Sequence, residues 1–271
     1  MNSICSTCGT QFADTPQPPV HCPVCEDERQ YVGLAGQTWT TLNELRDKYK
    51  TKLEQEEDRL LSFSIDPHFA IGQHAFLVQT AEGNLLWDCL SLMDQETVNV
   101  IHAKGGLDAI AISHPHYYAS MVEWSQEFGN VPVYLHADDA QWVMRPDACI
   151  QFWHGDAKEI WSGLTLIRSG GHFAGGTVLH WNAGAERKGA LLTGDIIQVV
   201  PDRCHVSFMY SFPNYIPLDA SAVERIVASV EPFEWDRLYG AFPGLTIQNN
   251  GKQVLYRSAE RYISAIRGTF T

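Results

Sequence analysis

The sequence predicts an α+β protein, with layered sheets covered by helices and preceded by a small metal-binding module and a linker helix. Three observations predict this. Two Cys-x-x-Cys pairs, Cys5/Cys8 and Cys22/Cys25, fall within the first 25 of 271 residues. From about residue 63, short apolar runs carry first a hairpin signal and then alternate with helical periods. Three of those runs lead into ligand-type residues: Ser113-His114-Pro115-His116, Gly171-His172 and Gly194-Asp195.

The composition bounds the function. Hydrophobic residues make up 45% and charged residues 19%, enough for one large core with a small appendage. A formal charge of −13 disfavours a nucleic-acid partner, and nuclease activity with it, because neutralising phosphates needs clustered Lys and Arg. No apolar stretch approaches the ~20 residues that span a bilayer, so no membrane association is expected. The N-terminus has no basic region leading into an apolar run. The expectation is a cytoplasmic protein acting on a small-molecule substrate.

Residues 1–36 form the first predicted unit. The Cys-x-x-Cys pairs stand thirteen residues apart, with Pro16, Pro18 and Pro19 between them. Each pair can wrap a tight turn that aims both sulfurs at one ion, and two turns complete a tetrahedral thiolate site. Gly9 supplies backbone freedom at the first turn. The knuckles are similar to those of zinc ribbons and rubredoxins. Structural Zn²⁺ is the expected ion, and iron is the alternative. So short a segment cannot bury much apolar surface, so ligation would supply its folding free energy. His21 is a spare donor beside a complete four-sulfur set. Cys89, Cys149 and Cys204 are scattered and expected to be buried small apolar residues.

Residues 37–62 read as a linker helix. Thr40 or Thr41 can cap it, and Leu42, Leu45, Tyr49, Leu53 and Leu60 recur near the helical period among charged residues. Residues 63–271 form the main domain. Ala75–Thr80 and Leu85–Cys89 read as a hairpin across Ala-Glu-Gly-Asn, and 94–103 as a helix. Leu107–Ser113 is a strand, Ala119–Phe128 a helix and Val131–His136 a strand. Leu164–Ser169, Thr177–Trp181 and Ala190–Thr193 continue as strands. Asp219 caps a helix over Ala220–Val230, Leu238–Phe242 is a last strand, and Ser258–Ile266 a last helix.

His114 and His116 follow an apolar strand directly, where open α/β architectures place their chemistry. Two apart in an extended segment, they would share one side of the chain. His172 sits among Gly170, Gly171, Gly175 and Gly176, which let backbone approach a site closely. Asp195 ends another apolar strand. Three histidines and one aspartate suit Zn²⁺ or Fe²⁺.

With these residues the chain resembles the metallo-β-lactamase superfamily over about residues 65–267. The resemblance implies an αββα sandwich with the metal at one edge of the two sheets. It assigns His114, His116 and His172 to the first metal, with Asp195 as the carboxylate that usually bridges two. It makes Asp88 a supporting residue rather than a ligand. The family's pattern is His-x-His-x-Asp-His, whereas here its last two positions are Tyr118 and Ala119. A late histidine is also missing, from a stretch that reads Tyr239-Gly240-Ala241-Phe242. The second metal has lost three ligands while the first set is intact.

The expected activity is hydrolysis of a small ester, thioester, lactone or amide by a single metal-activated water. Asp195 is read as a direct ligand. A phenol at Tyr118, or second at Tyr117, could donate to a developing oxyanion or simply fill the second-metal cavity. His180 is expected in the core, while His136, His205 and His74 are candidate pocket residues, with His205 the most tempting substitute ligand. Phe208, Tyr210, Phe212 and Tyr215 would form an apolar substrate wall or core. Two alternatives stand beside hydrolysis: a catalytically silent binding or regulatory protein, and a rubredoxin-like electron-transfer module fused to the domain.

Overall fold

The structure, a computed structural model, describes residues 1–269. The chain forms two compact units, Met1–Leu135 with Ala140–Phe152 and His136–Asp139 with Trp153–Thr271. The four-cysteine segment falls within the first of these.

The first unit carries a seven-stranded sheet in chain order: Lys50–Glu57, Leu60–Asp66, His74–Gln79, Asn84–Trp87, Ala109–Ala111, Val133–His136 and Ile150–Trp153. The early strands pair antiparallel, and Asn84–Trp87, Ala109–Ala111 and Val133–His136 run parallel. Asn84–Trp87 and Ala109–Ala111 are buried at every position, as parallel strands covered on both faces must be. Asp94 caps the helix Gln95–Ala103 through the Thr97 N–H, and its other carboxylate oxygen accepts from Thr51 N at 2.8 Å.

The linker helix expected over 37–62 is corrected. Only Leu42–Lys48 is helical, opened by a Thr41/Glu44 capping box. Lys50–Glu57 and Leu60–Asp66 are strands joined at Asp58-Arg59, with Arg59 at φ 64. The spacing of Leu45, Tyr49 and Leu53 mimics a helix. The sheet wins because Leu60, Leu61 and Phe63 are all buried as a strand, and Leu53 pairs opposite Phe63.

The second unit carries a six-stranded sheet: Ala157–Trp161, Leu164–Arg168, Thr177–Trp181, Ala190–Leu192, Arg237–Tyr239 and Thr246–Ile247. One pair, Ala190–Leu192 with Arg237–Tyr239, is parallel. Helices Ala220–Val230 and Gly251–Ile266 bury Val223, Ile226, Val230, Val254 and Leu255 in one core with Leu191 and Leu238. Asp219 caps the first of them as predicted. The last helix begins seven residues before the expected Ser258. Its opening, Asn-Gly-Lys-Gln, carries no apolar period, but a Cβ on Gly251 would stand 2.5 Å from the Trp235 ring, so glycine alone fits there. Among the described residues no helix is long and apolar enough to cross a membrane.

Candidate metal centres

Among the described residues, two groups of ligand-type side chains each bring one donor atom per residue within 4.8 Å of one another. They are Cys5, Cys8, Cys22 and Cys25, and His114, His116, His172 and Asp195.

The cysteine group is built by two knuckles. Gly9, at φ 81, lets its N–H turn back onto Cys5 O at 2.8 Å. Pro23 opens a one-turn helix that brings Cys22 and Cys25 together. Cys5 Sγ lies 3.4 Å from Cys25 Sγ, and Cys8 Sγ 3.7 Å from Cys22 Sγ. Four sulfurs ~2.3 Å from one tetrahedral ion would stand about 3.8 Å apart, so the cage fits Zn²⁺ or iron. All four are buried, and Gln37 Nε2 donates to Cys5 Sγ at 3.0 Å. Hydrogen bonds from Cys22, then Cys25 and Cys8, hold the Cys5 thiol well below its ordinary range. The same bonding, led by Cys22, pushes Cys8 and Cys25 up. A divalent cation bound among them would favour thiolate at all four. Phe12, Trp39, Trp142 and Met144 pack around the cluster, and Arg29 stacks over Trp142 at 5.2 Å.

In the histidine and aspartate group, Asp88 Oδ1 accepts the Ser113 N–H at 2.7 Å, fixing the chain where it leaves the strand Ala109–Ala111. The extended geometry expected for His114–His116 is corrected. His114 is extended at φ −169, but Pro115 opens a turn of 3₁₀ helix through Tyr117, whose N–H returns to His114 O at 3.0 Å. The turn still gathers the two imidazoles, with ring centroids 5.2 Å apart and planes at 72°. His114 Nδ1 is 2.9 Å from Ser113 Oγ, and Gln73 Nε2 donates to His116 O at 3.0 Å. Tyr117 and Tyr118 are buried, and Tyr117 sets its ring edge-on to His114 at 5.2 Å.

His172 stands in the predicted glycine loop. A Cβ on Gly176 would lie 2.8 Å from Gly170 O, so the loop closes only without side chains there. His172 Nδ1 lies 3.1 Å from Met209 O. A carbonyl can only accept, so Nδ1 carries the proton and Nε2 keeps the lone pair a metal needs. Asp195 is buried and follows Gly194, at φ 49, just past the strand Ala190–Leu192.

The remaining histidines lie elsewhere. His205 bonds Asp202 at 2.7 Å and is no member of the ligand group. His136 Nε2 donates to Gly155 O and packs on Trp153, and burial lowers its pKa. His180 bonds Glu234 O at 2.9 Å, a satisfied core histidine. His74 packs against Phe76. Phe208 is core, Phe212 sets its ring on His172 at 5.6 Å, and Tyr215 is exposed. Cys89 and Cys149 are buried as expected, but Cys204 is exposed because it follows the surface turn at Asp202, whose carboxylate accepts its N–H. Sequence reasoning missed the supporting residues Gln73, Ser113, Met209 and Gln37. Two of their contacts run to or from backbone atoms, which leave no mark in residue type.

Over 265 residues the chain is 52% identical to the Bacillus subtilis (strain 168) uncharacterized protein YmaE, covering 97% of this chain and 96% of that one. No family model matches. Among solved structures it is similar to VMB-1 (TM-score 0.60, 14% identity, 80% of this chain and 98% of that chain). It is also similar to the metallo-β-lactamase FIM-1 from Pseudomonas aeruginosa in the mono-zinc form (TM-score 0.55, 14% identity, 77% and 96%).

Proposed function

This chain belongs to one family with YmaE and has the metallo-β-lactamase fold, and from that premise we propose that it is a mononuclear metal-dependent hydrolase of a small ester, thioester, lactone or amide. The observation that carries the reading is the gathering of His114, His116, His172 and Asp195 in a chain whose second-metal positions hold Tyr118, Ala119 and Phe242. The mono-zinc form of FIM-1 supports the idea that this fold accommodates one ion.

In this reading His114, His116, His172 and Asp195 hold one Zn²⁺ or Fe²⁺. When bound, that ion supplies Lewis acidity and lowers the pKa of a coordinated water towards ~7. The chain's own part is orientation. Met209 O fixes the His172 tautomer, Ser113 Oγ steadies His114, and Gln73 holds the His116 backbone. Asp195 is a ligand rather than a base, because a carboxylate that near a divalent cation coordinates it. The Tyr118 phenol donates to the oxyanion that develops on the substrate carbonyl. The cysteine cluster is a structural Zn²⁺ site.

Metal analysis of the wild type beside His172→Ala and Cys22→Ser, with turnover measured on generic esters, thioesters, lactones and amides, tests the reading. Two ions per chain, one lost in each variant, and turnover abolished by His116→Ala are expected. No ion beyond the cysteine site, or turnover indifferent to His116→Ala, would sink it. A silent binding protein is the second reading, supported by the lost second-metal residues, and sustained turnover removes it.

A further inference from the structure

Within the first unit the cysteine set and the His114–His116 turn are joined by a short, countable path. Three residues on from Cys8 is Gln11, and three on from His116 is Ala119. The Gln11 backbone N–H donates to the Ala119 carbonyl at 3.1 Å. A second tie runs beside it. Ser91 Oγ donates to Gly9 O at 2.7 Å, and Ser120 Oγ donates to Ser91 O at 2.9 Å. Gly9 is close against this tie, for a Cβ there would stand 2.4 Å from Ser91 Oγ. The Gln11 side chain is held as well: it donates to Glu123 at 3.3 Å and accepts from Arg145, which pairs with Glu123 at 2.7 Å.

Ala119 is the residue at which this matters. It is not glycine, yet its φ is +39, in the left-handed region that a side chain resists. Such a conformation persists only where the surroundings impose it. The resemblance puts second-metal ligands at 118 and 119, where an ion would fasten this stretch. Here a hydrogen bond from the four-cysteine knuckle fastens it instead.

We propose that the four-cysteine cluster latches the His114–His116 turn through Gln11, so that the two metal sites fill cooperatively, with Gln11 as a positioning residue. This rests on the reading that His114, His116, His172 and Asp195 hold an ion. With metal on the cysteines, the knuckle bonds Gly9 N to Cys5 O and Cys5 N to Thr10 O hold Gln11 in register with Ala119. Without it the knuckle loosens, Ala119 leaves its resisted conformation, and fewer molecules present the two imidazoles together. Apparent affinity at the histidine site falls by that fraction. Linkage requires the same factor in reverse, so filling the histidine site tightens the cysteine site.

The test is a Co²⁺ titration of the full chain, stripped of metal, by equilibrium dialysis. Thiolate-to-cobalt charge transfer reports the cysteine site separately. Gln11→Pro removes the donating N–H and leaves all eight ligands. The histidine-site Kd is expected to weaken about tenfold in Gln11→Pro, with the charge-transfer band intact, and at least as much in Cys22→Ser. Because proline can upset the knuckle itself, Ser91→Ala is measured beside it and should weaken the same site several-fold. Amide exchange in His172→Ala supplies a readout free of that site's own ion. Adding Co²⁺ should there protect the Gln11 and Tyr117 amides. A wild type that binds two ions, with the histidine-site Kd unchanged within twofold in Ser91→Ala and in Cys22→Ser, would overturn the coupling. A wild type that binds one ion, lost in Cys22→Ser, would instead overturn the hydrolase reading and this proposal with it.

Discussion

Asp88 takes the backbone N–H of Ser113 onto Oδ1 at 2.7 Å, both residues buried, one residue before His114. Asp88 itself stands at φ 63, a region that Asn and Asp tolerate better than other side chains. Asp88→Ala would therefore strain the backbone and leave a buried N–H without this acceptor. A loss of about 1–3 kcal/mol is expected. Asp88→Asn keeps the oxygen and the backbone tolerance, and should lose less than half as much. Urea unfolding of both variants checks the order, and equal losses would remove the hydrogen-bond account.

The cysteine cluster should behave as a folding element. Besides the cysteines, its apolar cluster buries Phe12 and Val24, with Trp39, Ile71, Trp142 and Met144 only partly buried, so ligation must hold the two knuckles together. Cys22→Ser or prolonged chelation is expected to lower the Tm by several degrees and to expose the first forty residues to protease. Chelation that removes the metal and leaves both the Tm and the digestion pattern unchanged would contradict this.

The same residues explain why some of the molecule was legible in the sequence and some was not. The two groups of ligand-type side chains were legible because histidine and cysteine are scarce in this chain and fall in tight motifs. The helix at Ala220–Val230 was legible because a capping Asp219 and a clean apolar period agree. Lys50–Glu57 was not, since Leu45, Tyr49 and Leu53 satisfy a helical spacing and only pairing with Leu60–Asp66 reveals the strand. Strands such as Gln198–Val199 and Thr246–Ile247 are two residues long, too short for any period to register. The His172 orienter, Met209 O, is a backbone atom thirty-seven residues away, and no residue type announces it.

Stability should fall as the pH drops below about 6.5, and buried histidines supply part of that slope. Burial first lowers the pKa of His180, which keeps its ring neutral in the folded chain while Nε2–H donates to Glu234 O. The unfolded chain takes up a proton near ~6.5 and the folded chain only at lower pH, so the unfolded state binds more protons between the two. Folding free energy is thus lost through that window and not above it. His180→Gln retains an N–H donor without a titrating ring. Its urea-unfolding free energy should decline less steeply than the wild type's from pH 6.5 downward, while the two decline alike above pH 7. Parallel curves at low pH would assign the slope elsewhere.

Tyr118 separates an oxyanion donor from a cavity filler. The residue is buried in the turn that follows His116, and Tyr118→Phe removes only the hydroxyl and keeps the ring's volume. If the phenol donates to charge that develops in the transition state, kcat falls while KM holds, because that bond is made only there. A loss of about 10²-fold in kcat is expected, in the range known for single oxyanion donors. Tyr117, whose ring already packs on His114, provides the contrast: Tyr117→Phe keeps that packing and should leave kcat within a few-fold. Stopped-assay kinetics on metal-saturated protein, with stoichiometry confirmed for each variant, make the comparison. Equal, small effects from both substitutions would leave Tyr118 as packing alone.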